Sequence, residues 1–232
     1  LKIALLADFH LGYNVGSKKM EQMVEQVNNM NADLVVIAGD IFDNNYDALD
    51  NPDELIAILQ GINSRLGTYV VYGNHDVTET LIGGFSITSR TLAFRDERMN
   101  EFLEKCGFTV LTDDIVTLDN GNIYLIGRLD REKAGDGTSD RMSINKLMEN
   151  VDKSKVIIDL EHEPANLDGI ANSGVDIMLC GHTHAGQFFP LTIVQPLAWQ
   201  NYHGYLKVGN MHNFVTSGVG LYGPNMRVFT DS

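Results

Sequence analysis

The chain has 232 residues, 44% of them hydrophobic, enough for one large α/β domain with a sizeable core. Its formal net charge of −14 repels phosphate backbones, which disfavours broad nucleic-acid binding through a basic patch. A small anionic substrate stays open, because bound divalent cations reverse the sign of the field locally.

The two cysteines, Cys106 and Cys180, do not suggest a disulfide framework, and Cys180 closes an apolar run as a small buried hydrophobe. No apolar stretch reaches membrane-spanning length and no signal peptide is legible. The chain opens at Leu1, without Met and already inside a strand, which reads as a trimmed piece of a longer protein. An anchor or export signal ahead of it is left open.

In chain order, residues 2–7 read as a buried strand with Asp8 directly after it. Over residues 18–30, Met20, Met23, Val24, Val27 and Met30 recur at helical spacing. Residues 34–38 are a second continuous apolar strand, ending at Gly39-Asp40. Residues 52–62 read as a helix with Pro in its first turn, and residues 68–72 as a third strand, ending at Gly73-Asn74-His75-Asp76. This alternation predicts right-handed parallel βαβ units.

Residues 77–95 are rich in Thr, Ser and Gly; this segment is a lid candidate beside the loop that carries His75. A helix is expected over 96–105, then short strands around Val110, Val116 and Leu125, with a hairpin turn at Asn120-Gly121. After a polar loop and a helix near 143–150, strands over 156–160 and 176–180 end near His162 and at Gly181-His182-Thr183-His184. The tail from 192 to 228 reads as short strands with Gly turns, and the apolar stretch 187–205 as core strands, with a hydrophobic substrate rim or membrane-facing surface as the other reading. With no repeat or linker, residues 1–232 read as a single domain.

Five polar motifs therefore fall at the carboxyl ends of predicted strands, where open α/β sheets bind ligands. They bring together Asp8, His10, Asp40, Asn74, His162, His182 and His184 as candidate metal ligands, with His75 besides. Carboxylates and imidazoles suit Mn, Fe and Zn. Asp8 and His10 can face one ion if the chain is extended there, and the two oxygens of Asp40 can bridge two ions. A lone histidine is usually a satisfied surface or core residue, but five of the seven histidines lie in these motifs.

Asp-x-His, Gly-Asp-x-x-Asp, Gly-Asn-His-Asp, a later His and Gly-His-x-His together resemble the calcineurin-like metallophosphoesterase superfamily. The sequence around 181–187, with 220–227, resembles a bacterial branch of it that is often membrane-tethered. The resemblance implies a four-layer α/β/β/α sandwich, two mixed sheets flanked by helices. It implies Asp8, His10, Asp40 and His184 on one divalent ion, and Asp40, Asn74, His162 and His182 on a second. It further implies a bridging hydroxide attacking phosphorus, His75 assisting the leaving group, and Asp43 orienting His75.

Asn44 stands where protein Ser/Thr phosphatases of the superfamily carry Arg, which tilts the reading toward diesters or other small esters. Arg128 is a candidate phosphate contact, against a surface ion pair. The expected substrate is a small-molecule or lipid-linked phosphate ester, with membrane association only through a segment outside this chain. A nuclease of the same superfamily and a non-catalytic metal-binding scaffold are the alternatives; the acidity opposes the first and the complete ligand set the second.

Overall fold

The computed structural model describes residues 1–79, 81–82, 85–86, 93–137, 140–223, 226–228 and 230. About half of the lid candidate over 77–95, residues 80, 83–84 and 87–92, therefore lies outside the described residues.

β1 (Ile3–Leu6), α1 (Ser17–Met30), β2 (Leu34–Ala38), α2 (Pro52–Leu59) and β3 (Thr68–Val71) follow one another as the βαβ reading requires, with β1–β2 and β2–β3 parallel. β4 (Leu81–Ile82) and β5 (Phe85–Ser86) pair, among the described residues, only with each other. α3 (Glu97–Lys105), capped by the Asp96 carboxylate accepting from Arg98 N–H at 3.0 Å, leads into β6 (Thr109–Val110). β6 completes a sheet of order β1-β2-β3-β6 that is parallel throughout.

The hairpin β7 (Asp114–Leu118) and β8 (Ile123–Gly127) starts a second sheet. It continues through α4 (Ile144–Leu147), β9 (Val156–Leu160), α5 (Leu167–Ser173) and β10 (Ile177–Cys180). After α6 (Leu191–Ala198), β11 (Gly204–Val208) and β12 (Met211–Val215) close it. Its order is β11-β12-β10-β9-β8-β7, with parallel pairs in the middle and an antiparallel pair at each edge. Of the two sheets, the larger is mixed.

Side-chain alternation turns these sheets into four layers, because successive residues of a strand face opposite ways. On β2, Val35 and Ile37 join Met20, Met23 and Val27 of α1 in one core, while Leu34, Val36 and Ala38 join Ile158, Leu160 and Leu179 of the other sheet in a second. A third core lies beyond, where Ile157, Met178 and Cys180 meet Leu147, Leu167 and Ile170. A strand buried on both faces must be apolar without a break, which is why residues 34–38 read so plainly.

The tail departs from expectation. Residues 191–198 form a helix with no buried residue, not a core strand. Thr192, Ile193 and Val194 are β-branched and favour a strand locally, but β10, the strand they follow, is already paired on both sides by β9 and β12. No helix among the described residues is long and apolar enough to cross a membrane.

Candidate metal centre

The carboxyl ends of β1, β2 and β3 in one sheet face those of β9 and β10 in the other, and all seven candidate ligands lie on the loops that follow these strands. The chain is not extended at Asp8 and His10. Both are left-handed (φ 56° and 47°), as are Asp40 (53°), His182 (75°) and His184 (51°). Such conformations cost a non-glycine residue roughly 1–2 kcal/mol each, and they persist where the surroundings over-determine them. Packing here leaves little choice: a Cβ on Gly73 would lie 2.2 Å from Asp40 Oδ1, and one on Gly181 would lie 2.4 Å from the Ala7 Cβ.

Two groups of donor atoms result. In one, His162 Nε2 lies 3.0 Å from Asn74 Oδ1 and 3.1 Å from both His182 Nδ1 and Asp40 Oδ2, with His182 Nδ1 also 3.1 Å from Asn74 Oδ1. In the other, His10 Nε2 and His184 Nε2 are 3.0 Å apart, His184 Nε2 is 3.6 Å from Asp8 Oδ1, and His10 Nε2 is 3.8 Å from Asp40 Oδ2. The same oxygen of Asp40 therefore borders both groups, while its Oδ1 accepts the His75 backbone N–H at 2.8 Å. Asp8 accepts the His182 N–H at 3.1 Å on each oxygen. The His162 Nδ1–H donates to the Ala38 carbonyl at 2.7 Å, which fixes the ring and turns Nε2 toward the other donor atoms.

Burial would raise the Asp40 carboxyl, but the imidazoles of His162, His75 and His10 hold it well below its ordinary value. Burial, with His162 beside it, pushes His182 down to about 3, and burial with His10 pushes His184 well down. Burial opposes charge on His162 too, yet Asp40, Asp8 and Asp130 hold its pKa well above the ordinary value. Asp8 is pushed up to about 7 by burial, against the pull of His162. The ionised Asp40 and the neutral His182 and His184 are in the protonation state that a divalent cation binds, while His162 would give up a proton on binding one; this mixed oxygen and nitrogen set fits Mn, Fe or Zn.

His75 lines the same pocket of about 300 Å³, together with His10, Asp40, Asn74, His182 and His184. The orienting partner expected for it differs. Asp43 Oδ1 lies 3.5 Å from His10 Nδ1, whereas the Asn44 amide Nδ2 donates to His75 Nδ1 at 2.7 Å. Asn44 is itself left-handed (φ 60°), and its N–H donates to the His75 carbonyl at 3.0 Å, so its side chain turns under the imidazole and Asp43 faces the other way. With Nδ1 accepting, the proton of a neutral His75 ring sits on Nε2. Burial holds that ring neutral, its pKa pushed down to about 4.

Arg128 is not the surface residue of the ion-pair reading, and it is absent from the residues lining that pocket. It is buried, paired with Glu161 and donating to the Met142 carbonyl, and Arg141 meets the other oxygen of Glu161 at 2.9 Å. Asp76 accepts the Phe42 and Gly73 N–H groups at 2.8 Å each, the turn-holding role its position suggests.

Sequence reasoning assigned no site role to Tyr222 or Trp199. The Tyr222 ring stands 4.9 Å from that of His75 and 5.7 Å from that of His10, held there by Gln187, whose side chain pairs with both the N–H and the carbonyl of Tyr222. Trp199 meets His182 edge-on at 5.3 Å. Aromatic residues just beyond a Gly-His-x-His motif were the available signal for Trp199, and the resemblance carried by 220–227 was the one for Tyr222.

Histidines and carboxylates thus converge at the facing strand ends of a two-sheet sandwich, as the resemblance implied. The calcineurin-like phosphoesterase profile matches residues 1–186, and the chain belongs to that family. The relatives it matches carry the name metallophosphoesterase. Over its whole length it is 32% identical to an uncharacterized metallophosphoesterase of Helicobacter pylori strain J99, covering 58% of that protein. It is 33% identical to the transmembrane protein with metallophosphoesterase domain of Danio rerio, again over its whole length, covering 51% of it. The chain thus spans little more than half the length of these relatives. The crystal structure of TT1561 from Thermus thermophilus shares the fold, with a TM-score of 0.51 at 11% identity over 94% of this chain and 89% of that one.

Proposed function

We propose that the chain hydrolyses small or lipid-linked phosphate esters, diesters in preference, with two divalent cations of Mn, Fe or Zn. Asp8, His10, Asp40 and His184 would hold one, and Asp40, Asn74, His162 and His182 the other. The observation that carries this reading is the placement of Asp40 Oδ2 between the two donor groups, 3.1 Å from His162 Nε2 and 3.8 Å from His10 Nε2. Bound there, two such cations would supply water activation at neutral pH and neutralise phosphoryl charge. The protein's own part is then positional. The backbone N–H of His75 and the Ala38 carbonyl fix Asp40 and His162, and Asn44 holds the His75 ring with its Nε2–H toward the pocket, where it can donate a hydrogen bond to a phosphate or leaving oxygen as charge develops there. Asn44 is committed to His75, which leaves no guanidinium at that position to grip a phosphomonoester and supports the diester preference.

The full-length protein would be membrane-associated through a segment outside this chain, a reading supported by the name of the Danio rerio relative and by a Bos taurus protein of the same name.

The test is hydrolysis of a nitrophenyl phosphodiester by metal-stripped protein reloaded with Mn²⁺, alongside His75→Ala, with bound metal counted in both. Two equivalents in both proteins, and a rate that falls about 10²- to 10⁴-fold in the variant, is the expected result. Two equivalents bound with no turnover of either a monoester or a diester by the parent protein overturns the reading.

A further inference from the structure

α6 is placed where folding gains least from it. Its sequence, Leu-Thr-Ile-Val-Gln-Pro-Leu-Ala, carries no charge in a chain that is 21% charged. Ile193 is 60% exposed, Val194 50% and Leu197 85%, and Phe189 just ahead of the helix is 67% exposed. Contiguous exposed aliphatic surface of this kind marks an interaction site more often than an accident of folding. The helix also belongs to the site. It packs against the turn His184–Gly186, and its Leu191 and Gln195 line the pocket that His182 and His184 line from the other side. One face of a single short helix borders a phosphate-ester pocket and the other is bare hydrocarbon.

We propose that α6 seats the hydrocarbon chain of a lipid-linked phosphate ester whose phosphate enters the histidine–aspartate pocket; this rests on the phosphoesterase reading above and narrows its substrate. A ligand that touches both faces must be polar at one end and apolar at the other. A second copy of the chain fits poorly. Four apolar side chains fall far short of the roughly 20 residues a side in a standard interface, and two bodies of net charge −14 repel. A helix of eight residues is about 12 Å long, a track for one alkyl chain.

Trp199, the chain's single tryptophan, closes the C-terminal end of α6 against His182, so its emission reads occupancy of the seat directly. The experiment titrates Mn²⁺-reloaded protein with two phosphocholine diesters that differ only in their alkyl chain, dodecyl or ethyl, both below micelle-forming concentration. The dodecyl ester is expected to shift Trp199 emission to the blue and to half-saturate at a concentration at least about 30-fold lower than the ethyl ester, since each buried methylene strengthens binding severalfold. In Ile193→Ser/Leu197→Ser, whose changes face solvent and leave the melting temperature in place, that ratio is expected to collapse toward one.

Equal half-saturation of the two esters by the parent protein, or a ratio that survives the double substitution, overturns the proposal. So does a dimer in sedimentation that the double substitution dissolves, which would give the helix to a second copy. Tail-dependent binding without turnover of any ester keeps the seat and removes the hydrolase reading. Turnover of both esters at equal kcat/KM with no tail-dependent binding does the reverse.

Discussion

The two donor groups share Asp40 yet are built to different tolerances. Around His162 the donor atoms lie within 3.0–3.1 Å of their neighbours, and the far nitrogen of that ring is tied to the Ala38 carbonyl. Around His10 the contacts stretch to 3.6 and 3.8 Å, and neither His10 Nδ1 nor His184 Nδ1 has a hydrogen-bond partner among the described residues; the Asp43 carboxylate stands 3.5 Å from His10 Nδ1 as a charge neighbour. The first group is pre-formed by its support, and the second is left to adjust. Outer partners of metal-binding histidines set affinity as well as orientation. On the proposed assignment the cation beside His162 is therefore held more tightly than the one beside His10.

The broadest way to break this difference is Asp40→Ala, which removes the one atom both groups use. Both cations are expected to be lost on dialysis and turnover to vanish, by metal analysis and a phosphodiester assay; retention of one full equivalent would show that Asp40 is not shared. Single truncations sharpen the contrast. His184→Ala is expected to leave one equivalent bound after mild chelation, and His182→Ala to leave less than one. Equal losses in the two variants would place the groups on a par.

Below the tighter group, Glu161 precedes His162 and is clamped between two arginines, so Arg128→Met leaves a half-paired buried carboxylate. A loss of about 3 kcal/mol in urea unfolding is expected, with KM for the diester unchanged. A raised KM at unaltered stability would return Arg128 to the substrate. The smallest effect belongs to Asp43→Asn. It should weaken only the second cation to bind, by about 10- to 100-fold in a Mn²⁺ titration, and leave the pH profile of a His75-dependent rate alone; a shifted profile would give Asp43 back to His75.

Much of this was legible before any coordinates, for a physical reason. Strands buried on both faces are continuous apolar runs, and the polar residue that ends such a run marks the carboxyl edge of the sheet. Residues 34–38 followed by Asp40 show the logic most clearly. What sequence could not give was the sign of φ. The left-handed turns at Asp8, His10 and Asn44 decide which side chain meets which, and nothing in the letters distinguishes Asp43 under His75 from Asn44 under His75. The helix at 191–198 was hidden for a different reason. Its β-branched residues favour a strand, and the sequence does not show that both sides of the preceding strand, β10, are taken by β9 and β12. Arg128 read as surface because a buried arginine needs partners far along the chain, and Glu161 is 33 residues away.

The pocket lies on a seam. Asp8, His10, Asp40 and Asn74 come from the parallel sheet, and His162, His182 and His184 from the mixed one. On the proposed assignment neither sheet alone can complete a coordination shell, so each cation would stitch the two halves of the sandwich together at their rim. Metal content then becomes a gauge of how the sheets are registered. A substitution deep between them, far from any ligand, could strip the ions by letting the layers slip, and its first symptom would be a changed appetite for manganese, ahead of any loss of secondary structure.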